Sequence, residues 1–158
     1  MTQRFIVLCL LFLWDIPTHA KSGLPVPRFV SLRSAHINVR VGPGKDYPIE
    51  WVYMRANLPV EIIAEFENWR KIKDIENSEG WVHQSMLSGT RYGLVQGATY
   101  DIKYKASKES ETIAQIEPDA MVRINKCQGE WCKVQVDTFK GYIPRESLWG
   151  IYAQEAIN

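Results

Sequence analysis

Leu58, Val60, Ile62, Ala64 and Phe66 alternate along the chain with Glu61 and Glu65 on the opposite side. That is the period of a strand with one apolar face. Ile37 and Val39 alternate with Asn38 and Arg40 in the same way, and Trp51 to Tyr53, Trp69 to Lys73 and Trp81 to His83 read as further short strands. Turn-forming residues separate them. Gly42-Pro43-Gly44 opens a long loop to Pro48, Glu67-Asn68 supplies a tight turn, and Asn77-Ser78-Glu79-Gly80 another. Gln84 to Leu87 reads as one helical turn. The second half follows the same course, with strands predicted over Tyr100 to Tyr104, Thr112 to Ile116, Met121 to Asn125, Trp131 to Val136 and Gly141 to Ile143. No segment carries a helical period. Five short strands in about 60 residues, given twice, predict an all-β chain of two small five-stranded barrels in tandem.

The two halves correspond residue by residue. Asn38-Val39-Arg40, Val60, Trp69-Arg70-Lys71-Ile72, Gly80-Trp81-Val82, Leu87 and Gly89 recur in order as Asp101-Ile102-Lys103, Val122, Trp131-Cys132-Lys133-Val134, Gly141-Tyr142-Ile143, Leu148 and Gly150. The offset falls from 63 to 62 at the tryptophans and to 61 at the glycines. Each step is one residue lost in a turn, where loss is cheap because turns run over the surface. The period is too long for a solenoid unit and fits a small domain present twice. The expected divisions are a leader at 21–28, a first domain at 29–89, a linker at 90–93, a second domain at 94–150 and a tail at 151–158. Domains of about 60 residues are marginal alone, so mutual packing is expected to help.

The ends and the charge narrow the setting. Arg4, the apolar run Phe5 to Trp14 and the small residues Thr18 and Ala20 have the layout of a secretory signal peptide, with a cut expected after Ala20. The run is about half of what a membrane-spanning helix needs, and no membrane span is expected in the mature chain. Periplasmic or secreted localisation follows as an expectation. Arg4 and Asp15 leave together, so the net charge of +1 is unchanged. The first repeat carries 8 basic and 8 acidic side chains over 26–90, and the second 9 and 8 over 91–150. Neither has the positive excess that binding to nucleic acid draws on, and an anionic membrane surface is disfavoured for the same reason.

Two cysteines remain after such a cut. Cys127 and Cys132 flank Gln128-Gly129-Glu130-Trp131, a stretch suited to a hairpin turn. Residues facing each other across a tight hairpin lie close enough for a disulfide, and an oxidising compartment would preserve it. A Cys127–Cys132 bridge is expected, two packed thiols being the alternative.

The motifs resemble the bacterial SH3 domain family (SH3b). Its entrance sequence stands here as Ile37-Asn38-Val39-Arg40-Val41-Gly42-Pro43-Gly44, its strand-opening tryptophan as Trp69-Arg70-Lys71-Ile72, and its closing phrase as Gly80-Trp81-Val82 with Leu87. The resemblance implies an SH3-like barrel and a binding module, often for cell-wall peptides or glycans. The second repeat departs from the pattern, with Lys105-Ala106-Ser107 in place of Gly42-Pro43-Gly44 and Tyr142 in place of Trp81. If one copy alone binds, it is expected to be the first.

Each motif has a structural reading. Gly42 and Gly44 are expected to supply positive φ at the chain reversal, and Pro43 to fix the bend. Trp69, Trp81, Trp131 and Tyr142 are expected to plug the barrels, with Gly80 and Gly141 as motif residues beside them. Arg40 points away from Val39, where it could hold a carboxylate or lie under the loop. Tyr47, Trp51 and Tyr53 have no recognisable partner in the second repeat. With Arg40 they are the ligand-binding candidates, as an aromatic shelf beside a loop suits an extended peptide.

Catalysis is not expected. His36 and His83 lie in the first repeat and both cysteines in the second, so a Cys–His dyad would need contact across the domain boundary. No spacing fits a zinc site, no phosphate loop follows Gly42-Pro43-Gly44, and no cofactor is implied. His36 and His83 read as surface or capping residues. The expectation is an exported, non-catalytic module whose partner is a cell-wall peptide or glycan. The alternative is a protein–protein adaptor in the envelope or at a host surface.

Overall fold

The computed structural model describes residues 22–158, so the expected signal peptide lies outside the described residues. Among the described residues fourteen antiparallel strands form two sheets. The first contains β1 (Arg28–Leu32), β2 (Ile37–Arg40), β3 (Ile49–Tyr53), β4 (Pro59–Phe66), β5 (Trp69–Lys73), β6 (Glu79–His83) and β7 (Leu87–Ser88). The second contains β8 (Tyr92–Val95), β9 (Tyr100–Lys103), β10 (Thr112–Ile116), β11 (Met121–Gln128), β12 (Trp131–Val136), β13 (Phe139–Pro144) and β14 (Leu148–Trp149). The strand orders are β3-β2-β6-β5-β4-β1-β7 and β10-β9-β13-β12-β11-β8-β14, the same arrangement twice. The five strands read from each half are all present. Each repeat adds a leading strand and a two-residue closing strand, which pair with each other. A single 3-10 turn, Gln84–Met86 or Arg145–Ser147, precedes each closing strand.

Each repeat has its own core. Leu32, Ile37, Val39, Val60, Ile62, Ile72, Val82 and Leu87 fill the first. Val95, Ile102, Ile116, Val122, Ile124, Val134, Ile143 and Leu148 fill the second, with Cys127, Cys132 and Ile151. These are the positions that strand alternation turns inward.

The alternation along β4 breaks at one point, and the break matters. Register against β5 shifts between Ile62 and Ala64, leaving Ile63 as a bulge. An extra residue inverts the facing of everything beyond it. Glu65 therefore turns inward, with a side chain wholly shielded from solvent, and Phe66 turns outward to 53% exposure. This corrects the simple alternation, which placed Phe66 inside and Glu65 outside. The same bulge recurs in β11 between Ile124 and Lys126, and there it turns Cys127 inward.

The inward positions beyond the two bulges hold different chemistry. Glu65 faces Arg70 across the first hairpin, and Cys127 faces Cys132 across the second. In the second repeat the pair is a disulfide, with Cα atoms 4.1 Å apart. In the first it is a buried ion pair, Arg70 Nε to Glu65 Oε1 at 3.2 Å. Arg28 donates to the same Oε1 at 2.6 Å, and Ser22 adds donations from Oγ at 2.8 Å and from its backbone N–H at 3.1 Å. Arg70 also donates to Gln84 Oε1 and to the carbonyls of Glu67 and Trp69. Buried charge is tolerable only when it is saturated in this way.

The terminal segments close these hairpins. The leader lies along the first domain, since Ser22 and Arg28 both reach Glu65 and Val26 packs on the core. The tail lies on the second, where Ile157 exchanges two backbone hydrogen bonds with Cys127. Arg145 donates to the carbonyls of Gly129, Tyr152 and Glu155.

The two repeats touch directly. Phe29 on β1 packs against Trp149 and Tyr152 at 5.0 and 4.7 Å between ring centroids, and the Arg91 guanidinium lies over its ring. Tyr152 donates to Glu61 Oε1 at 2.7 Å, and Lys73 pairs with the other oxygen of that carboxylate. Burial, then the neighbouring Glu61 carboxylate, pushes the Tyr152 hydroxyl well above its ordinary pKa, so it is a donor at every physiological pH. Strand β8 starts at Tyr92, within the stretch read from the sequence as linker, and Ser31 donates to the carbonyl of Thr90.

Candidate functional site

The Gly-Pro-Gly loop joins β2 to β3 and is held by backbone bonds from Gly44 to Gly42, Tyr47 to Gly44 and Val41 to Pro48. Arg40 lies under it and donates to the carbonyl of Tyr47 at 2.6 Å. Neither Gly42 nor Gly44 has a positive φ, contrary to the reading that these glycines serve a left-handed turn. Close approach is the reason for them. A Cβ on Gly42 would lie 2.3 Å from the Tyr47 ring, and one on Gly44 3.1 Å from it.

The second repeat keeps the loop's bonds without the glycines. Ser107 donates to Lys105, Ser110 to Ser107, and Tyr104 to Glu111, matching the three bonds above. Ser110 stands where the first repeat has Tyr47, so the ring that crowds Gly42 and Gly44 has no counterpart there and side chains stand at Lys105 and Ser107. Lys103 replaces Arg40 and turns to Thr112 and Asp101. Gly42→Ala is accordingly expected to cost about 1–2 kcal/mol through displacement of the Tyr47 ring. The same change in a Tyr47→Ser background is expected to cost less than about 0.5 kcal/mol, the difference being the coupling energy. Urea denaturation of the four variants measures it.

Trp51 and Tyr53 pack onto the first core from its open side, with ring centroids 6.0 Å apart and edge to face. The indole of Trp51 lies over Gly80, where a Cβ would meet it at 3.1 Å and Val39 Cγ1 at 2.3 Å. Tyr53 donates to Asp74 Oδ2 at 2.7 Å. Burial, with the Asp74 carboxylate, holds its hydroxyl well above the ordinary range. The four ligand candidates thus form two groups, Arg40 with Tyr47 at the loop and Trp51 with Tyr53 on the core edge. Tyr47 is the most exposed, at 47%, beside Val41 and Ile49 at 52% and 46%.

The motif tryptophans are not core plugs. Trp69, Trp81, Trp131 and Tyr142 are half-buried and lie outside both core clusters. The physical reason is phase. Val82 and Ile143 point inward, so Trp81 and Tyr142 point out, and Arg70 and Ile72 likewise turn Trp69 out. On the outer face Trp81 sits in register between Arg40 and Lys71. Tyr142 sits between Lys103 and Lys133, with the Lys133 ammonium 5.8 Å from its ring. Trp69 meets the His83 ring edge-on at 5.6 Å. Trp81→Ala is therefore expected to cost roughly 1–2 kcal/mol, a cross-strand pair loss with partial burial, against about 3–5 for a core ring. The urea midpoint of the variant distinguishes the two.

His83 caps the 3-10 turn, its Nδ1 accepting from the Ser85 N–H, and His36 is exposed. Cys127 and Cys132 are joined in the disulfide. Among the described residues no cluster of His, Cys, Asp or Glu could hold a metal. No helix among them is long and apolar enough to cross a membrane.

A concavity lies in the second domain, away from every residue that the sequence offers as a ligand candidate. A cleft of about 570 Å³ is lined by Trp131 and Pro144, by the hairpin turn Gln128 to Glu130, by Arg145 and Glu146, by Lys108, and by the tail Ala153 to Ala156. Trp131 and Pro144 are register partners on β12 and β13. The tail has no counterpart in the first repeat, so repeat comparison carried no signal for this wall.

The family model for the bacterial SH3 domain matches twice, at residues 33–89 and 104–150. The chain belongs to the bacterial SH3 domain family and is two such domains in tandem, all-β throughout the described residues. The matches leave out β1, β8, β9 and the tail. No curated protein matches the chain. Two solved structures from Trichomonas vaginalis are similar to it. NlpC2 is 14% identical, with 84% of this chain and 51% of that one covered and a TM-score of 0.39. NlpC1 is 14% identical, with 82% and 48% covered and a TM-score of 0.35. The chain thus spans about half the length of either.

Proposed function

We propose that the chain is an exported, non-catalytic binding module that recognises peptidoglycan or cell-envelope peptides. The observation that carries this reading is a pair of bacterial SH3 domains, the second stapled by a disulfide. Disulfides persist in oxidising compartments, which agrees with the signal-peptide layout of residues 1–20. With both sulfurs in that bond, neither cysteine is a thiolate nucleophile. The near-balanced charge of each repeat argues against nucleic acid as a partner. Arg40, Tyr47, Trp51 and Tyr53 remain the ligand candidates of the first domain in this reading, with Tyr47 the best presented.

Co-sedimentation of the mature chain with purified sacculi tests it. Recovery of most of the protein in the pellet is expected. Protein left wholly in the supernatant would overturn the reading. The exposed apolar group Val41, Tyr47 and Ile49 favours a second reading, a protein–protein adaptor. That reading expects a proteinaceous partner on cross-linking and no affinity for wall material.

A further inference from the structure

We infer that the outer face of the second domain's sheet binds an acidic polysaccharide, a carboxylate-bearing glycan laid across strands β11, β12, β13 and β9. This goes beyond the reading above and does not rest on it.

Register builds the site. Lys126 on β11 faces Lys133 on β12, Lys133 faces Tyr142 on β13, and Tyr142 faces Lys103 on β9. Their chain neighbours Cys127, Cys132, Ile143 and Ile102 are buried, so all four side chains point outward. They form one line across the sheet, on strands about 4.8 Å apart. Arg123 and Lys140 flank Gln135 in a second line beside it. Five cations thus surround one half-buried ring, and the Lys133 ammonium is 5.8 Å from its centroid.

The acidic groups nearby leave most of this charge uncompensated. Asp101 is the carboxylate at an outward position here, and it accepts from Lys103, Thr112 and Gln115. Glu130 and Asp137 stand in the hairpin turns at the two ends of the face, and Glu111 in the loop before β10. Arg123, Lys126, Lys133 and Lys140 are exposed and have no ion-pair partner among the described residues.

The first domain shows that the fold does not need these charges. Glu61 and Glu79 stand where the second has Arg123 and Lys140, and they pair with Lys73 and Lys71 at 2.7 and 2.6 Å. Ala64 stands where the second has Lys126. The second domain therefore reverses two charges, adds a third, and sets Lys126 directly opposite Lys133. Like charges in facing positions destabilise a sheet. A polyanion laid over them removes that repulsion.

The ring and the lysines select the ligand. Lysine is a point charge with rotatable donors, which suits carboxylates spaced along a flexible chain. The half-sunk Tyr142 ring offers a sugar a plane to stack on between the cations. An acidic peptide matches the charge without using the ring. The exposed Tyr104 and Phe139 lie off the outward positions of these lines, so the face presents no apolar wedge to a bilayer.

The test is a ¹⁵N-NMR titration of the chain without residues 1–20 at low ionic strength. The probe is a short oligomer of galacturonic acid, compared with its neutral methyl ester. The acid is expected to shift the amides of Lys103, Arg123, Lys126, Lys133, Lys140 and Tyr142. Its binding should weaken several-fold at about 0.15 M salt. The ester is expected to bind roughly tenfold or more weakly than the acid, because it lacks every carboxylate. Lys126→Ala installs the first domain's residue. It is expected to weaken the acid up to about fivefold, the worth of an exposed ion pair, and to raise the melting temperature of the free protein. A merely solvated face gives no such opposition of signs. Arg123→Glu with Lys140→Glu, again the first domain's residues, is expected to weaken the acid roughly tenfold or more with the fold intact. Tyr142→Leu is expected to weaken it with all five cations in place. Equal binding of acid and ester, a poly-glutamate peptide of equal charge held as tightly, phosphatidylglycerol vesicles bound in place of the acid, or no shift on this face would overturn the inference.

Discussion

Glu65→Ala is expected to destabilise the first domain by about 3–5 kcal/mol, the range found when one partner of a buried ion pair is removed. The carboxylate is shielded from solvent and receives Arg28, Arg70 and two bonds from Ser22. Its loss leaves Arg70, 5% exposed, with an uncompensated charge, and frees the leader. Glu65→Gln retains shape and acceptor oxygen, so its cost is expected to be smaller. The pH dependence has a definite sign. Burial raises the Glu65 pKa, but the hydrogen bonds from Arg28 and Ser22 outweigh it and hold the carboxyl below its ordinary value. A depressed folded pKa gives stability that is present above the unfolded value, about 4.3, and is lost as pH falls through the folded one. Urea midpoints measured at neutral pH and through the acid range should converge for wild type and Glu65→Gln as the carboxyl protonates. Parallel curves across that range would mean that Glu65 stays unpaired in solution.

Gly141→Ala is the second large effect, expected at about 3 kcal/mol or more, the upper end of overpacking costs. A Cβ there would lie 2.5 Å from Ile102 Cγ2, 2.6 Å from the carbonyl oxygen of Lys103 and 3.0 Å from Ile113 Cδ1. The carbonyl belongs to the strand paired with β13 and cannot turn aside as the exposed Tyr47 ring can. The order Gly141→Ala well above Gly42→Ala is the discriminating outcome, read from thermal or urea unfolding. Comparable costs would show that β9 gives way at Lys103.

These residues also mark where sequence reading succeeded and where it stopped. Short strands with one apolar face leave a period of two. The ten strands it yields are therefore all present, and the Cys127–Cys132 hairpin follows from turn chemistry and spacing. A bulge has no such signature. The insertion of Ile63 and of Asn125 is visible only in the pairing register, and it decides that Glu65 and Cys127 face inward. The equivalence of an ion pair and a disulfide was hidden for that reason, although Glu65, Arg70, Cys127 and Cys132 stand at matched positions. Tryptophan size suggested core, but the phase set by Val82 and Ile72 sends Trp81 and Trp69 to the outer face. Gly42 and Gly44 were legible as required and not in their cause, because contact with Tyr47 is a tertiary fact. The cleft was illegible because its wall is the unrepeated tail.

The two repeats differ in what they present. The first offers an exposed apolar loop tip between β2 and β3 and, at its β4–β5 hairpin, a saturated buried charge network. The second offers a cleft lined by Trp131, Pro144 and the unrepeated tail. The contacts of Phe29, Tyr152 and Glu61 hold both in one arrangement, so a ligand long enough to reach both surfaces would meet them at a set spacing.

Chemical-shift mapping of the ¹⁵N-labelled mature chain with soluble fragments released from sacculi tests the central claim most directly. The account predicts saturable shifts, with Arg40, Tyr47, Trp51 and Tyr53 the first-domain positions expected to respond. An unperturbed spectrum at the highest fragment concentration would contradict a wall-binding role for this pair of domains.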